Sequence, residues 1–424
     1  MHFRKSLVTT SILLASISFS GLISAAGLWL YEGASPEVGT ASAGRNAIAD
    51  NAATAAFNPA GMTRLDRDEL LAGFQPMYVD ARFDIDNGSG SGGGNGGNAG
   101  GWVPALAVYY VHELAPDLKF GLSSGSYLGL GVDFGTDWGG RYFVTDGELL
   151  TLLTKASLGY KVNDKLSIGG SINMVYSKLT QKIAWNNNPL NIGNTADGQI
   201  KIEESELSFG FGVSMLYEFT TMTRVGFIYN SEVDLEFDDA ISTKGISGIT
   251  GIPDYFLGDP NVDLEMTLPQ AVSFSVFHQL NDDWAVVGSL GWQDWSAFGK
   301  TDLIFSGGAR TTYDRNYDDT WNAAVGFHYQ WSDKWKLMSG IAYDSSPVSD
   351  KDRTIDLPLD RQIRYALGAQ YELSKDITVS GAYELMDAGK ASVNQAGLAR
   401  QGGLDGEFKT NFIHIFTINA SWKY

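Results

Sequence analysis

The sequence predicts an all-β fold, a 14-stranded antiparallel transmembrane β-barrel with an N-terminal hatch in its lumen. Three observations predict it. From Asp68 onward, strand-length segments alternate apolar and polar residues. Short polar turns alternate along the chain with long polar or Gly-rich connections. The stretch Gly27–Arg67 has no such alternation and is rich in Ala, Gly and Asn, so it is expected to pack inside the barrel.

The composition excludes several classes of protein. The chain has 424 residues, no cysteine and a formal net charge of −19. An apolar content of 44% is too high for a disordered chain. The absence of cysteine removes disulfide frameworks and thiolate metal sites and fits an exported protein. The acidic balance leaves no basic stripe that could bind nucleic acid.

The N-terminus predicts a cleaved secretory signal over residues 1–25. Arg4 and Lys5 precede an apolar run from Leu7 to Ile23, and small residues follow, so cleavage is expected after Ala25 or Ala26. A retained membrane anchor is the alternative interpretation. Beyond this region no apolar run of about 20 residues occurs, which argues against helical membrane spans.

The predicted domain order is therefore a signal (1–25), a hatch (26–67) and a barrel (68–424). Three segments show the barrel alternation clearly: 209–219 and 321–331, with their odd residues apolar, and the last strand, with Phe412, Phe416, Trp422 and Tyr424 on one side. A soluble sandwich also alternates. Aromatic residues at the ends of the apolar faces, with Gly, Ser, Asn and charges opposite, favour a membrane barrel with a wet lumen. The strands are also long, as in 166–178 and 283–298.

The number of strands comes from the connections. Six short turns are expected near residues 115–117, 163–165, 220–223, 281–283, 332–334 and 374–376. Seven long connections are expected at 84–101, 132–148, 185–203, 238–263, 299–315, 347–360 and 389–407. Together they join fourteen strands with both ends on the short-turn side, which is the asymmetry of an outer-membrane barrel.

Several motifs resemble the FadL/TodX-like family of outer-membrane transporters of long-chain fatty acids and other hydrophobic compounds. They comprise Gly44, Ala47-Ile48-Ala49-Asp50, Asn58-Pro59-Ala60, Ser231-Glu232-Val233, Leu268-Pro269, Gly340-Ile341-Ala342-Tyr343-Asp344 and Ser346-Pro347-Val348. The resemblance covers essentially the whole mature chain. It implies capture of a hydrophobic molecule at the outer loops, gating by the N-terminus and lateral release through a kinked third strand.

The same resemblance implies specific site residues. Gly27, Leu28 and Trp29 would form the N-terminal pocket and gate, and Asn58, Pro59 and Ala60 the hatch motif. The third strand, expected at 118–131, would kink at Gly121, Gly125, Gly129 and Gly131, since glycine weakens a strand ladder. The alternatives are lumen packing for Leu28 and Trp29, and room for packing at the four glycines.

One outer loop is too apolar for an ordinary solvated connection. The stretch 247–257 contains Ile249, Ile252, Tyr255, Phe256 and Leu257, and exposed apolar patches commonly mark binding sites. It is the candidate site of initial capture, with self-packing of the loop as the alternative.

Charge leaves the substrate open. Extending the alternation places Arg224, Asn230, Glu232, Asp234 and Glu236 in the lumen of one strand, and Asp318, Thr320, Asn322 and His328 in that of another. Arg364 and Lys178 are the candidate carboxylate contacts, and a lumen salt bridge is the alternative for Arg364. Because the acidic run would repel a carboxylate, neutral alkanes or aromatics compete with fatty acids as substrates.

Two other functions are weaker alternatives. A general diffusion porin would not need the residues that precede the first strand. An enzyme is disfavoured because the mature chain has four histidines, none in a recognisable catalytic spacing, and no Gly-x-Ser-x-Gly motif. We expect no cofactor, metal or catalytic residue. We expect a monomer in the outer membrane of a Gram-negative bacterium, with a hydrophobic substrate and membrane lipids as its partners.

Overall fold

A computed structural model describes residues 32–86, 90–188, 196–238, 241–246, 262–305, 308–397 and 402–424, without the side chains of 127, 128 and 130. The predicted signal, the contacts at Gly27, Leu28 and Trp29, and the capture-loop residues Ile249, Ile252, Tyr255, Phe256 and Leu257 lie outside the described residues. These predictions therefore stay predictions. No helix in the described part of the chain is long and apolar enough to cross a membrane.

The described residues form twenty strands. They are β1 (Glu69–Ile85), β2 (Gly101–Ala115), β3 (Leu118–Asp133), β4 (Asp146–Lys161), β5 (Leu166–Trp185), β6 (Gly198–Glu218), β7 (Thr223–Asn230), β8 (Val233–Phe237), β9 (Ile241–Lys244), β10 (Val262–Leu268), β11 (Ala271–Gln279), β12 (Trp284–Gln293), β13 (Lys300–Phe305), β14 (Arg310–Asp314), β15 (Thr320–Ser332), β16 (Trp335–Asp344), β17 (Gln362–Glu372), β18 (Ile377–Asp387), β19 (Val393–Gln395) and β20 (Leu404–Lys423).

Fourteen of these strands close into one antiparallel barrel, as the sequence predicts. The order is β1 to β7, β11, β12, β15 to β18 and β20, and β20 pairs back onto β1. That closing pair extends from Glu69 opposite Lys423 to Ile85 opposite Gly406. Closure leaves no strand edge at the two ends of the sheet, and lipid tolerates no such edge. All six predicted short turns join consecutive barrel strands.

The predicted faces of the barrel are confirmed along most of its wall. Phe209, Phe211, Trp321, Ile418 and Trp422 are exposed on the outside. Their neighbours in sequence point into the lumen, where Ser214, Thr320, His328 and Asn419 are buried. The lipid-facing side is therefore apolar and the lumen side polar or small, as expected for a membrane barrel.

The sequence prediction is wrong in one part of the barrel, where the chain leaves the wall and forms a second sheet. This outer sheet has four strands in the order β14, β13, β10, β8. The predicted strand 283–298 ends at Gln293, and Asp294 then caps the helix α3 (Trp295–Phe298) by accepting a hydrogen bond from the Ala297 N–H. The predicted loop 299–315 contains β13 and β14.

The break also corrects the predicted position of the acidic run. Val233, Leu235 and Phe237 are buried in the interior, whereas Asp234 and Glu236 are exposed. Glu232 is exposed as well. The carboxylates therefore face solvent and not the lumen, which weakens the argument that they repel an anionic substrate. Asp318 is likewise exposed, in the connection before β15.

The segment 32–68, which we call the hatch segment, lies inside the barrel. It contains two 3₁₀-helices, Pro36–Thr40 and Pro59–Arg64, and two single-turn α-helices, α1 (Arg45–Ile48) and α2 (Thr54–Phe57). The first 3₁₀-helix contacts β15 to β18 and β20, whereas the second contacts β3 to β6. The hatch segment thus touches the wall on opposite sides of the lumen.

Glycines on the inner wall let the hatch backbone approach. A side chain at the following positions would collide with hatch backbone atoms: Gly73, Gly159, Gly169, Gly226 and Gly340. At Gly226, on β7, the colliding group is the Asn46 carbonyl. The close fit therefore depends on glycine at these wall positions.

Gly226→Val is expected to displace the hatch segment while the barrel stays folded. The added side chain would occupy the space of the Asn46 carbonyl, so the hatch would leave its place. In planar bilayers we expect stable open-channel conductance from this variant and not from the wild type. The control is Gly381→Val on β18, where the nearest atom to an added Cβ is 3.8 Å away. Equal conductance from both variants would contradict the assignment.

Candidate functional site

The barrel wall is interrupted between β2 and β3, and we call this interruption the β2/β3 window. The ladder of these strands runs from Ala115 opposite Leu118 to Ala107 opposite Gly125. From these residues toward the outer loops, β2 pairs only with β1, and β3 pairs only with β4. A backbone hydrogen bond of 2.8 Å from Asp133 N–H to the Ala99 carbonyl marks the outer end. The window therefore has a hydrogen-bonded frame and an unpaired middle.

Local sequence explains why pairing stops there. The register of β3 against β4 shifts between Ser126 and Leu128, so β3 carries one extra residue. On the other edge, Pro104 has no N–H to donate to a neighbour. Gly125 is the last paired residue. The predicted third strand is thus present and irregular at its middle, and it extends two residues beyond the predicted end, to Asp133.

The four predicted kink glycines fall on two sides of this irregularity. Gly121 and Gly125 lie on the lumen face of β3, where Gly121 contacts Met62 of the hatch segment. Gly129 and Gly131 pair with Leu150 and Glu148, which share the outward face of β4. The extra residue reverses the alternation between the two pairs. Their role in gating stays a prediction.

A small cavity lies between the window and the hatch segment. Its volume is about 80 Å³, and it is lined by Phe57, Ser124, Gly125 and Lys155 among others. The cavity has room for water-sized molecules and not for a large ligand while the hatch segment stays in place.

Lys155 is the buried cation of this cavity. Its side chain points inward from β4, and its ammonium donates to the Ala56 carbonyl at 3.0 Å and to Asn230 Oδ1 at 2.9 Å. Both acceptors are neutral. Burial of an ammonium among neutral partners is costly unless an anion joins it. The site is therefore suited to a carboxylate ligand.

The hatch motif forms the hydrogen-bonded centre of the hatch segment. The fully buried Asn58 accepts from Ala60 N–H and so caps the 3₁₀-helix that begins at Pro59. Its amide donates to the Asn46 carbonyl at 2.6 Å and to the Met215 carbonyl of β6 at 3.1 Å. Asn58 therefore ties α1, the second 3₁₀-helix and the wall together.

Arg364 lies in an ion-pair cluster with the start of the described hatch segment. Its guanidinium is 2.5 Å from Asp344, 3.4 Å from Glu32 and 3.7 Å from Glu384, and it also donates to Gln362. Glu32 and Glu384 are fully buried. Three carboxylates around one guanidinium leave little attraction for a fourth, from a substrate. Glu32 follows Trp29 by three residues, so this cluster fixes the chain next to the predicted gate.

Lys178, the other predicted carboxylate contact, faces outward. Its side chain is 44% exposed and lies 3.9 Å from Glu203 on the outer surface of β6. Val175 and Leu179, which take the opposite phase of β5, point into the lumen. Lys178 therefore does not line the transport path in this structure.

The lumen near its outer end is lined with apolar side chains. One cluster joins Leu149, Val175 and Ile202 of the wall to Leu235 and Leu264 of the outer sheet. A second includes Met77, Phe83, Trp138, Val132 and Phe408. These clusters give the outer part of the lumen an apolar surface.

Ion pairs hold the outer connections around these clusters. Arg315 and Asp356 form a fully buried pair at 3.4 Å between two loops. Burial raises the pKa of Asp356, although Arg315 opposes the shift. On the solvent face of the outer sheet, burial alone would raise the pKa of Asp302, but hydrogen bonds from Arg310 and Thr312 lower it.

A larger groove lies on the other side of the wall. It measures about 580 Å³ and is formed where the small Gly288 and Ala323 lie between Phe274, Leu290 and Tyr343. Phe274, Leu290 and Tyr343 are exposed on the lipid-facing side. The groove therefore belongs to the membrane surface and not to the lumen path.

Sequence reasoning missed Lys155, and it did not assign Arg224 to the hatch. Arg224 Nε donates to the Ala47 carbonyl at 2.6 Å, and its guanidinium also donates to the Ile48 carbonyl. The signal available for both was a cation at an inward position of a strand whose other inward residues are mostly small or apolar. Which hatch carbonyl each cation would meet was not visible without the fold.

Comparison with known proteins decides the family. The family described as outer membrane protein transport protein (OMPP1/FadL/TodX) matches residues 16–424. The chain belongs to this family. It is 28% identical to the long-chain fatty acid transport protein of Escherichia coli O6:H1 over 97% of this chain and 100% of that protein. The chain is an outer-membrane protein and a transporter of hydrophobic compounds.

Solved structures share its fold. A Pseudomonas aeruginosa FadL homologue superposes with a TM-score of 0.83 at 21% identity, covering 92% of this chain and 97% of that one. The P. putida toluene transporter TodX superposes with a TM-score of 0.65 at 17% identity, covering 88% and 94%. At these identities the likeness concerns the barrel fold.

Arg364→Met and Glu384→Gln are expected to have unequal effects on the hatch segment. Arg364→Met leaves buried carboxylates without their cation, a change that costs about 3–5 kcal/mol in buried pairs. Glu384→Gln removes one of three carboxylates and is expected to cost far less. The measurement is protease accessibility of the hatch segment against urea concentration, with heat-modifiable migration reporting the barrel. Equal sensitivity of the two variants would argue against a cluster with excess negative charge.

Proposed function

We propose that this transporter takes up long-chain fatty acids, with the substrate carboxylate bound at Lys155 and release through the β2/β3 window. The observation that carries this proposal is the buried ammonium of Lys155, whose hydrogen-bond acceptors Ala56 O and Asn230 Oδ1 are both neutral. A carboxylate would supply the missing negative charge through charge-assisted hydrogen bonds.

The apolar clusters of the outer lumen support the same proposal. Each buried CH₂ of an acyl chain contributes about 0.8 kcal/mol, so a route through water would be unfavourable. The cavity at Lys155 borders the β2/β3 window through Ser124 and Gly125. A chain bound there by its carboxylate would have its tail next to the opening in the wall. The name of the E. coli relative agrees with a fatty-acid substrate.

We propose neutral hydrocarbons as a second substrate class. The structurally similar TodX is a toluene transporter. In this chain the acidic side chains Asp234 and Glu236 face away from an apolar interior that would accept an uncharged molecule. Such a molecule would need the apolar clusters but not Lys155.

We also propose that transport is the whole activity, without a catalysed reaction and without a wide aqueous pore. Hatch residues such as Ala47, Ala53 and Ala60 are fully buried in the lumen, which opposes free diffusion of solutes. A monomer in contact with outer-membrane lipids is part of the same proposal.

Lys155→Met is expected to reduce fatty-acid uptake at least tenfold and to leave uptake of a neutral alkylbenzene within twofold. A hydrogen bond to a charged group contributes about 1.5–3 kcal/mol, equivalent to about 10- to 100-fold in affinity. The measurement compares labelled oleate with labelled alkylbenzene in a deletion strain that expresses each variant.

The matched control is Lys178→Met, which removes an outward lysine from the next strand. It should change neither uptake. Equal loss of both substrates in Lys155→Met, or loss of oleate uptake in Lys178→Met, would overturn the carboxylate assignment.

A further inference from the structure

The wall has a second interruption, between β6 and β8, which we call the β6/β8 seam. β6 pairs with β7 from Glu218 to Gly212, and again with β9 from Ile202 to Gln199. Between these ladders, residues 203–211 of β6 pair only with β5. The chain that follows β7 turns away as β8, which pairs with β10 of the outer sheet.

One extra residue produces the seam. Gly212 lies opposite Asn230, and Ile202 lies opposite Ile241, so the chain between the two ladders has one residue more than β6 has between them. An odd insertion reverses the alternation beyond it. This explains why the even-numbered side chains of β7, such as Arg224, point inward, whereas in β8 the odd-numbered Val233 points inward. The β2/β3 window has the same origin, an extra residue in β3.

Side chains, not the ladder, close the seam. At its inner end Ser231 N–H donates to the Phe211 carbonyl at 2.9 Å, and Ser231 Oγ accepts from Phe211 N–H at 2.9 Å. Next to this pair, a Cβ at Gly210 would lie 2.8 Å from Val233 Cγ2. Beyond Phe211 the two strands thus meet by packing against each other without paired backbones. The two strands can therefore separate at this contact without losing the hydrogen bonds of a ladder.

The seam lies at the height of the membrane. The outward side chains of β6 along it include Leu207, Phe209 and Phe211, which are 47%, 62% and 52% exposed. Such a row of exposed apolar side chains is the lipid-facing surface of a barrel strand. An unpaired backbone group in lipid costs several kcal/mol, so an open edge at this height calls for an explanation.

The lumen side of the seam differs in charge from the β2/β3 window. Glu204 and Glu206 take the inward phase of β6 and are half-buried, whereas Lys155 lies at the window. Behind the seam is the apolar cluster that contains Val175, Ile202 and Val233. Two inward carboxylates disfavour an anion and leave an uncharged hydrophobic molecule as the compatible ligand.

We propose that the β6/β8 seam is a second lateral portal, which passes uncharged hydrophobic compounds between the apolar lumen and the outer leaflet. This proposal rests on the proposed transport function. It assigns neutral compounds to the seam and leaves fatty acids to the β2/β3 window.

A disulfide across the seam tests the portal. The chain has no native cysteine, so Gly210→Cys with Val233→Cys introduces the single possible bridge, at two positions whose side chains would be in contact. When oxidised, this variant is expected to lose at least 80% of alkylbenzene uptake and to keep oleate uptake within twofold of wild type. Reduction by dithiothreitol should restore alkylbenzene uptake.

The matched control is Gly170→Cys with Val213→Cys, which bridges β5 and β6 at an existing ladder pair three residues away. It should leave both uptakes unchanged. Equal loss of oleate and alkylbenzene in the seam variant overturns the portal, as does unchanged uptake of both. If the wild type imports neither compound, the proposed transport function fails and the portal fails with it. If only the portal fails, the Lys155→Met effect on oleate remains.

A labelling experiment tests the seam without a bridge, and so does not depend on folding of the double variant. Val233→Cys and Leu264→Cys are both buried in the same apolar cluster, but only residue 233 lies at the seam. Pyrene-maleimide added in the bilayer should label Cys at 233 at least tenfold faster than at 264. Equal rates, or no labelling at 233, would contradict an opening to lipid.

Discussion

The structure depends on one constraint, the need to satisfy every backbone N–H and C=O in a medium without water. Fourteen strands meet it by pairing on both sides, with β20 returning to β1. Against this background the two interruptions of the wall are the exceptions. Both arise from one extra residue, and both are framed by hydrogen bonds at their ends. A bulge is the smallest change that opens a ladder without unravelling the barrel.

The hatch segment obeys the same constraint in another way. It forms no ladder with the wall, and its backbone carbonyls accept hydrogen bonds from Arg224, Lys155 and Ser157 of the wall. Several of its non-glycine residues also have left-handed backbone conformations, among them Ala41 and Ala49. Each such residue costs about 1 kcal/mol or more and persists because its surroundings hold it. A segment held by side-chain contacts under backbone strain is free to shift when those contacts change.

The sequence was sufficient wherever a local pattern determines the structure. Turn residues and the period-2 alternation predicted the six turns, the fourteen strands and the faces of β6 and β15. The sequence was insufficient where one extra residue reverses which side chains of a strand face the lumen. Ser231-Glu232-Val233 reads as continuous strand, and the alternation carried through it placed Asp234 and Glu236 on the wrong face. Nothing in the local pattern distinguishes a bulge from a continuing strand there.

The candidate site shows a related limit for charge. Arg364 and Lys155 are both buried inward cations of their strands, so the sequence offered no means to rank them. The two cations differ in the partners that the fold brings to them from distant parts of the chain. Arg364 has three carboxylates around it, whereas Lys155 has two neutral oxygens. Contacts of such long sequence separation depend on barrel closure and on the path of the hatch. Because burial makes an unmatched charge costly, the cation with neutral partners is the one with affinity left for a ligand. Lys155 is therefore the inward cation that the protein leaves without a carboxylate partner.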